Sequence, residues 1–107
     1  MKGSFSESFS EMTVGICRLS LILADNNSLK DKRQAMRKIK DTIRNRYNVS
    51  IAEVGDQELW QRALLGIALV SNDRQKIESD LRKIINEIEK MHIAQMIEEK
   101  IDIFPFH

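Results

Sequence analysis

The order in which two-residue and 3.6-residue apolar periods follow one another is the feature that most constrains this chain. The stretch "MTVGICRLSLIL" alternates, with Val14, Ile16, Arg18 and Ser20 on one side and Gly15, Cys17, Leu19 and Leu21 on the other, which predicts a strand. "ADNNS" is a turn. Its last member, Ser28, can cap a helix, and Asp31 stands at the capping-box position, where its charge also suits the N-terminal end of the helix dipole. That helix is predicted to run to about Tyr47. "NVSIAEV" reads as a second strand, and "GDQELW" supplies Gly and Asp for a turn. "QRALLGIALVSN" reads as a third strand, apolar on both faces from Leu64 to Val70 as a central strand would be. Asn72 or Asp73 then caps a second helix, in which Ile77, Leu81, Ile84, Ile85, Ile88 and Met91 recur at spacings of three and four. "AQMIEEKIDIF" alternates again and predicts a fourth strand, ended by Pro105.

The resulting order, β-α-β-β-α-β, is the split βαβ arrangement of ferredoxin-like α+β domains: a four-stranded antiparallel sheet with two helices on one face, closed by right-handed crossovers. A chain of 107 residues holds one core, not two. The single domain is expected over residues 12–107. Residues 1–11, "MKGSFSESFSE", are polar, small and aperiodic apart from Phe5 and Phe9, and are expected to form a mobile N-terminal extension. There is no internal repeat and no linker.

Several function classes are disfavoured. The longest uncharged apolar run, Ala63 to Ser71, falls well short of the roughly 18 residues of a membrane-spanning helix. The N-terminus lacks the apolar stretch of a secretory signal, so a cytoplasmic location is expected and no membrane association. The lone Cys17 cannot form an internal disulfide, and neither His92 nor His107 stands at metal-motif spacing from it. No metal and no cofactor are expected. Nucleophile, base and orienter do not occur as a set, no Gly-rich phosphate loop is present, and Glu98 and Glu99 point to opposite faces of their strand. The chain does not read as an enzyme, and no catalytic residue is assigned.

Charge is the more informative signal. The net charge is only +1, yet residues 28–47 carry eight Lys or Arg against two Asp, while the rest of the chain is net negative. Segregation of this kind bears on the choice of partner more than the total does. On a helical wheel, Leu29, Met36, Ile39, Ile43 and Tyr47 share a sector of roughly 80° and should face the sheet. On one flank of that sector Lys30, Arg33, Arg37, Lys40 and Arg44 form a single stripe without an intervening acid. Like charges at these spacings each cost a helix a few tenths of a kcal/mol. The second helix offers a contrast, with five acids and five bases interspersed from Asp73 to Lys90. The stripe is therefore read as a face for phosphates, roughly 20 Å long at 1.5 Å per residue. The competing reading is a solvated face, or one neutralised within the molecule by acids such as Glu53, Glu98 and Glu99.

Arg46, Trp60 and Arg62 are weaker candidates for the same partner. Stacking of bases on the central strands, as in RNA-recognition motifs, is rejected, because the first strand has no aromatic and the third only Trp60 at its edge. Arg18 should lie on the sheet face away from the helices, beside Val14, Ile16 and Leu64 or Leu65. It is either one half of an edge salt bridge or a polar spot on a face apolar enough to favour self-association. Cys17 reads as a core residue and His92 as a charge partner for the C-terminal end of the second helix.

The strings "VGICRLSL", "NSLKDKR", "RNRYNVSIAEV" and "LWQRALLGIALVSND" together resemble the bacterial YlxP-like family, over Val14 to about Ile103. The resemblance implies a ferredoxin-like fold. It also implies genes lying among those for transcription-termination and translation-initiation factors and a ribosome-binding factor, and so RNA or the ribosome as partner. It implies no reaction. The family's "SLKDKR" stands intact here from Ser28 to Arg33. The Ser-rich start departs from the family pattern, in which the first strand begins almost at once.

Overall fold

The computed structural model describes residues 12–107. The expected extension, residues 1–11, lies outside the described residues. Six elements follow in the expected order: β1 (Met12–Ile22), α1 (Leu29–Arg46), β2 (Ser50–Gly55), β3 (Arg62–Ser71), α2 (Arg74–Lys90) and β4 (Gln95–Phe106). The sheet is antiparallel, with strand order β2-β3-β1-β4. The fold is ferredoxin-like.

Alternation along β1 decides which face is buried. Gly15, Cys17, Leu19 and Leu21 are buried beneath the helices, while Ile16 and Arg18 are exposed on the other face. On β3, Ala63, Leu65, Ile67 and Leu69 join the buried set, and Ile77, Leu81, Ile84, Ile85 and Ile88 of α2 and Met36, Ile39 and Ile43 of α1 close over them. α1 lies over β2, whereas α2 spans β1, β3 and β4. At Gly15 the approach is close enough that a Cβ would stand 2.2 Å from Ile77 Cγ2. Glycine is required there for the space it leaves, since its φ is not positive.

The opposite face is open. Val14, opposite both Val70 and Phe104, and Ile16, opposite Ala68, form its apolar half. Leu64, and not Leu65, lies on this face, opposite Ser20. Two expectations at the edges are corrected. β4 continues through Pro105 to Phe106, because that proline stands at an outward-facing position of an edge strand, where its missing N–H breaks no ladder bond. Trp60 precedes β3 and sits in the β2–β3 loop, which begins with Asp56 in the left-handed region at φ 58°, a conformation that Asp tolerates better than most residues.

Candidate nucleic-acid interface

α1 begins as its capping residues predict. Ser28 Oγ accepts a hydrogen bond from the Asp31 backbone N–H (3.1 Å), and Asp31 Oδ2 accepts one from the Asn27 N–H (2.9 Å). The first bond meets one of the helix's otherwise unsatisfied N-terminal N–H groups, and the second ties the residue before the cap to the first turn. This start fixes the rotation of the helix. Met36, Ile39 and Ile43 are buried, and Lys30, Arg33, Arg37 and Arg44 are exposed, with Lys40 half-buried.

Lys30, Arg33, Arg37 and Lys40 make no hydrogen bond or ion pair with any described residue. Arg44 is partly engaged: its Nη2 donates to the Ile51 carbonyl (2.9 Å), and its Nη1 stands 3.9 Å from Asp41 Oδ1. Arg33, Arg37, Lys40 and Arg44 border a cleft of about 380 Å³ between α1 and the β2 edge, together with Met36, Asp41 and Glu53. Lys30 continues the row beyond it.

The acids suspected of neutralising the stripe are occupied or remote. Glu53 holds Lys32, with Nζ 2.7 Å from the carboxylate. Glu99 holds Arg82 at 2.5 Å, and Glu98 makes no ion pair with a described residue. Lys32 is the residue that wheel analysis missed. It is 2% exposed, and its Nζ also donates to the Asp56 carbonyl. The signal was its spacing, four before Met36 and seven before Ile39, which places it on the sheet-facing side. An ammonium can be buried there because a carboxylate and a carbonyl converge on it.

The weaker candidates are not brought to the stripe. Arg46 forms an ion pair with Glu87 of α2, tying the two helices together. Trp60 and Arg62 are exposed and border a separate cleft of about 380 Å³ with Glu58, Leu59 and Gln61. That loop is held by Gln61 Nε2, which donates to the Ala24 and Asn26 carbonyls, and by Asn26 Nδ2, which donates to the Trp60 carbonyl.

Cys17 is buried, and burial is the main cause of its thiol pKa rising to about 11. Glu99 raises it further and Arg82 opposes the rise. The Arg82 guanidinium is itself shifted upward by its hydrogen bond to Glu99. Among the described residues no three His, Cys, Asp or Glu side chains are grouped to hold a metal ion. Nor is any described helix long and apolar enough to cross a membrane.

Residues 14–101 match the model of a family described as "Protein of unknown function (DUF503)". The chain belongs to the DUF503 family. A curated relative from Bacillus subtilis (strain 168), "Uncharacterized protein YlxP", is 39% identical over 72 residues, covering 67% of this chain and 78% of that one. The YlxP-like resemblance is thus established. Among solved structures this DUF503 chain is similar to the de novo designed protein Foldit4, with TM-score 0.54 and 15% identity over 91% of this chain and 100% of that one. It is also similar to the de novo designed Ferredog-Diesel, with TM-score 0.50 and 18% identity over 95% of each chain. A third similar structure is a dimeric ferredoxin-like protein from an uncultured marine organism, with TM-score 0.50 and 7% identity over 97% of this chain and 95% of that one. At these identities the likenesses show the fold alone.

Proposed function

We propose that this DUF503 chain is a non-enzymatic, cytoplasmic accessory protein that binds RNA or the ribosome, gripping phosphates with the basic stripe of α1. One observation carries this reading: Lys30, Arg33, Arg37 and Lys40 stand in a row with no described partner, whereas Lys32, Arg46, Lys76 and Arg82 each hold an acid. The other unpaired helix cations, Lys38, Lys83 and Lys90, are too widely spaced to form a row. An unrelieved row of like charges is a small cost to the helix that a polyanion would reverse. Arginine adds two-donor contacts to phosphate, and Arg44 contributes from the far end of the cleft. Contacts of this type position a backbone without reading sequence.

The test is retention on ribosomal RNA and on ribosomes across a salt series, for wild type and for a variant with Arg33, Arg37 and Lys40 changed to Gln. The expected result is salt-sensitive binding that the variant loses. Binding that ignores both salt and the substitutions overturns the proposal.

A second reading rests on the open sheet face, where Val70, Val54, Ile16 and Phe104 are exposed. There the chain would act as a protein-interaction or homo-oligomerisation module through that face. Loss of the partner on Val70→Lys, with RNA retention absent in wild type, would favour it.

A further inference from the structure

The two edges of the sheet are finished differently. At the β2 edge the outward carbonyls are taken: Ile51 O accepts from Arg44 (2.9 Å) and Glu53 O from Gln57 Nε2 (3.5 Å). The strand is also only six residues long and is interrupted by a bulge between Glu53 and Gly55. These are the devices by which edges avoid pairing.

The β4 edge is twelve residues long and largely bare. Its outward groups follow from the ladder. The Leu23 N–H donates to Gln61 O on the β3 side, so odd-numbered β1 residues turn their backbone toward β3 and even-numbered ones toward β4. In the β1–β4 register, Gly15 is opposite Ile103, Cys17 opposite Ile101 and Leu19 opposite Glu99. The backbones of Glu99, Ile101 and Ile103 therefore point outward. Arg74 Nη1 reaching the Ile103 carbonyl (3.0 Å) agrees with this, and so does Pro105 two residues on. Glu99 and Ile101 expose both N–H and C=O to no described partner.

We propose that this edge pairs antiparallel with β4 of a second copy, about a twofold axis at Ile101, to make a continuous eight-stranded sheet. Outward groups must face outward groups, which leaves three symmetric registers near this bare stretch. Centring on Lys100 sets Lys100 against Lys100 and Glu98 against Asp102, all like charges. Centring on Glu99 sets Glu98 against Lys100 twice but Glu99 against Glu99, and runs the ladder into the bulge beside Ile97, where the β1–β4 register shifts between Ser20 and Leu21. Centring on Ile101 sets Ile101 against Ile101 on the helix face, and Lys100 against Asp102 twice on the open face. Like charges directly opposite are unfavourable and opposite charges favourable. Only the last register combines opposite-charge pairs with no like-charge pair and stays clear of the bulge.

Within one copy Lys100 lies opposite Arg18 with no acid in contact, and Asp102 likewise makes no ion pair with a described residue. The second copy supplies each with its counter-charge. Ile103 O retains a lone pair beside Arg74 for the Glu99 N–H of the second copy. Pro105 ends the ladder, since it has no N–H to offer. A twofold axis normal to the sheet also brings the two α2 helices side by side and joins the two open faces.

The full chain is expected to sediment as a concentration-dependent dimer. Lys100→Asp or Asp102→Lys alone should weaken association at least tenfold, and the double exchange Lys100→Asp/Asp102→Lys should restore it. Both side chains are exposed, so the fold is spared, and rescue by the exchange separates pairing from damage. Amide exchange at Glu99, Ile101 and Ile103 should slow as the dimer forms and be fast in either single variant. Three results would overturn the proposal: a monomer up to millimolar concentration, a dimer indifferent to both reversals, or a dimer in which those three amides exchange as fast as in the single variants.

Discussion

The Lys32 ammonium lies 2.7 Å from the Glu53 carboxylate, beneath the row of cations that α1 turns to solvent. This pair joins the start of α1 to the β2 edge. With the bond from Lys32 Nζ to the Asp56 carbonyl, it also anchors the β2–β3 loop. It keeps one cation off the polyanion-facing surface and occupies one acid beside the stripe. Asp41, 3.9 Å from Arg44, is the acid left on that cleft, and Arg33, Arg37 and Lys40 make no ion pair with a described residue. Loss of either partner leaves the other charge in a poorly solvated place.

Lys32→Met should therefore destabilise the protein by about 3 kcal/mol, the lower end for breaking a buried pair because Glu53 keeps some contact with water. Adding Glu53→Leu should recover most of that loss, since apolar residues of similar size often match a buried ion pair. Urea titrations of the two single variants and the double would check this. Additive losses would show that the two residues are energetically independent.

Gly15→Ala tests the closest approach in the core. The new methyl would meet Ile77 Cγ2 at 2.2 Å and Leu69 Cδ2 at 3.2 Å, and both residues are buried. Overpacking of this kind costs about 1–3 kcal/mol, and the upper end is expected because α2 must move away from β1. In the Ile77→Ala background the same substitution should cost much less. A thermal-melt double-mutant cycle measures the difference, and an unchanged cost would place the strain elsewhere.

How much of this was legible in sequence depended on whether a local period governed the position. Alternation in β1 and the three-and-four spacing in α2 gave element order and buried faces, because burial imposes those periods. Lys32 was missed because its charge outweighed its spacing. Its acid, Glu53, lies on another element, and no local pattern announces a long-range pair. The engagement of Arg46 with Glu87 was hidden for the same reason. Pro105 reads as a strand stop in sequence, although β4 runs through it, because sequence does not say which edge its missing N–H faces. The stripe's rotation was readable from Ser28 and Asp31, which fix where the helix starts.

The Cys17 thiol gives a pH signature. Its pKa is raised from 9.0 to about 11, first by burial and then by Glu99. The folded state thus favours the protonated thiol, whose contribution is fully present below pH 9. As pH rises from about 9 to about 11 the unfolded chain ionises first, and stability should fall by up to about 1.4 kcal/mol per pH unit. Cys17→Ala should remove this component of the slope. Chemical denaturation at pH 8, 9, 10 and 11 for both proteins would check it, and parallel curves would assign the alkaline loss to other groups. The same raised pKa predicts slow alkylation of the folded protein at pH 7.5.

The arrangement of α1 makes a quantitative claim about salt. If the four cations without described partners each neutralise a phosphate, log affinity should fall with log salt at a slope of about −2.8 to −3.6, so a fourfold rise in salt weakens RNA binding by roughly fifty- to one-hundred-and-fifty-fold. Arg37→Gln should lower the slope by about 0.7–0.9 and weaken binding uniformly across unrelated RNA sequences. Arg46→Gln is the matched control: it removes the same type of charge from the same helix, but a charge already held by Glu87, so the slope should hardly change. Arg44→Gln should fall between the two, because its guanidinium is shared with the Ile51 carbonyl and Asp41. Fluorescence-anisotropy titrations at four salt concentrations resolve differences of this size. Equal effects from Arg37→Gln and Arg46→Gln would mean that net charge, and not the exposed row, governs the interaction.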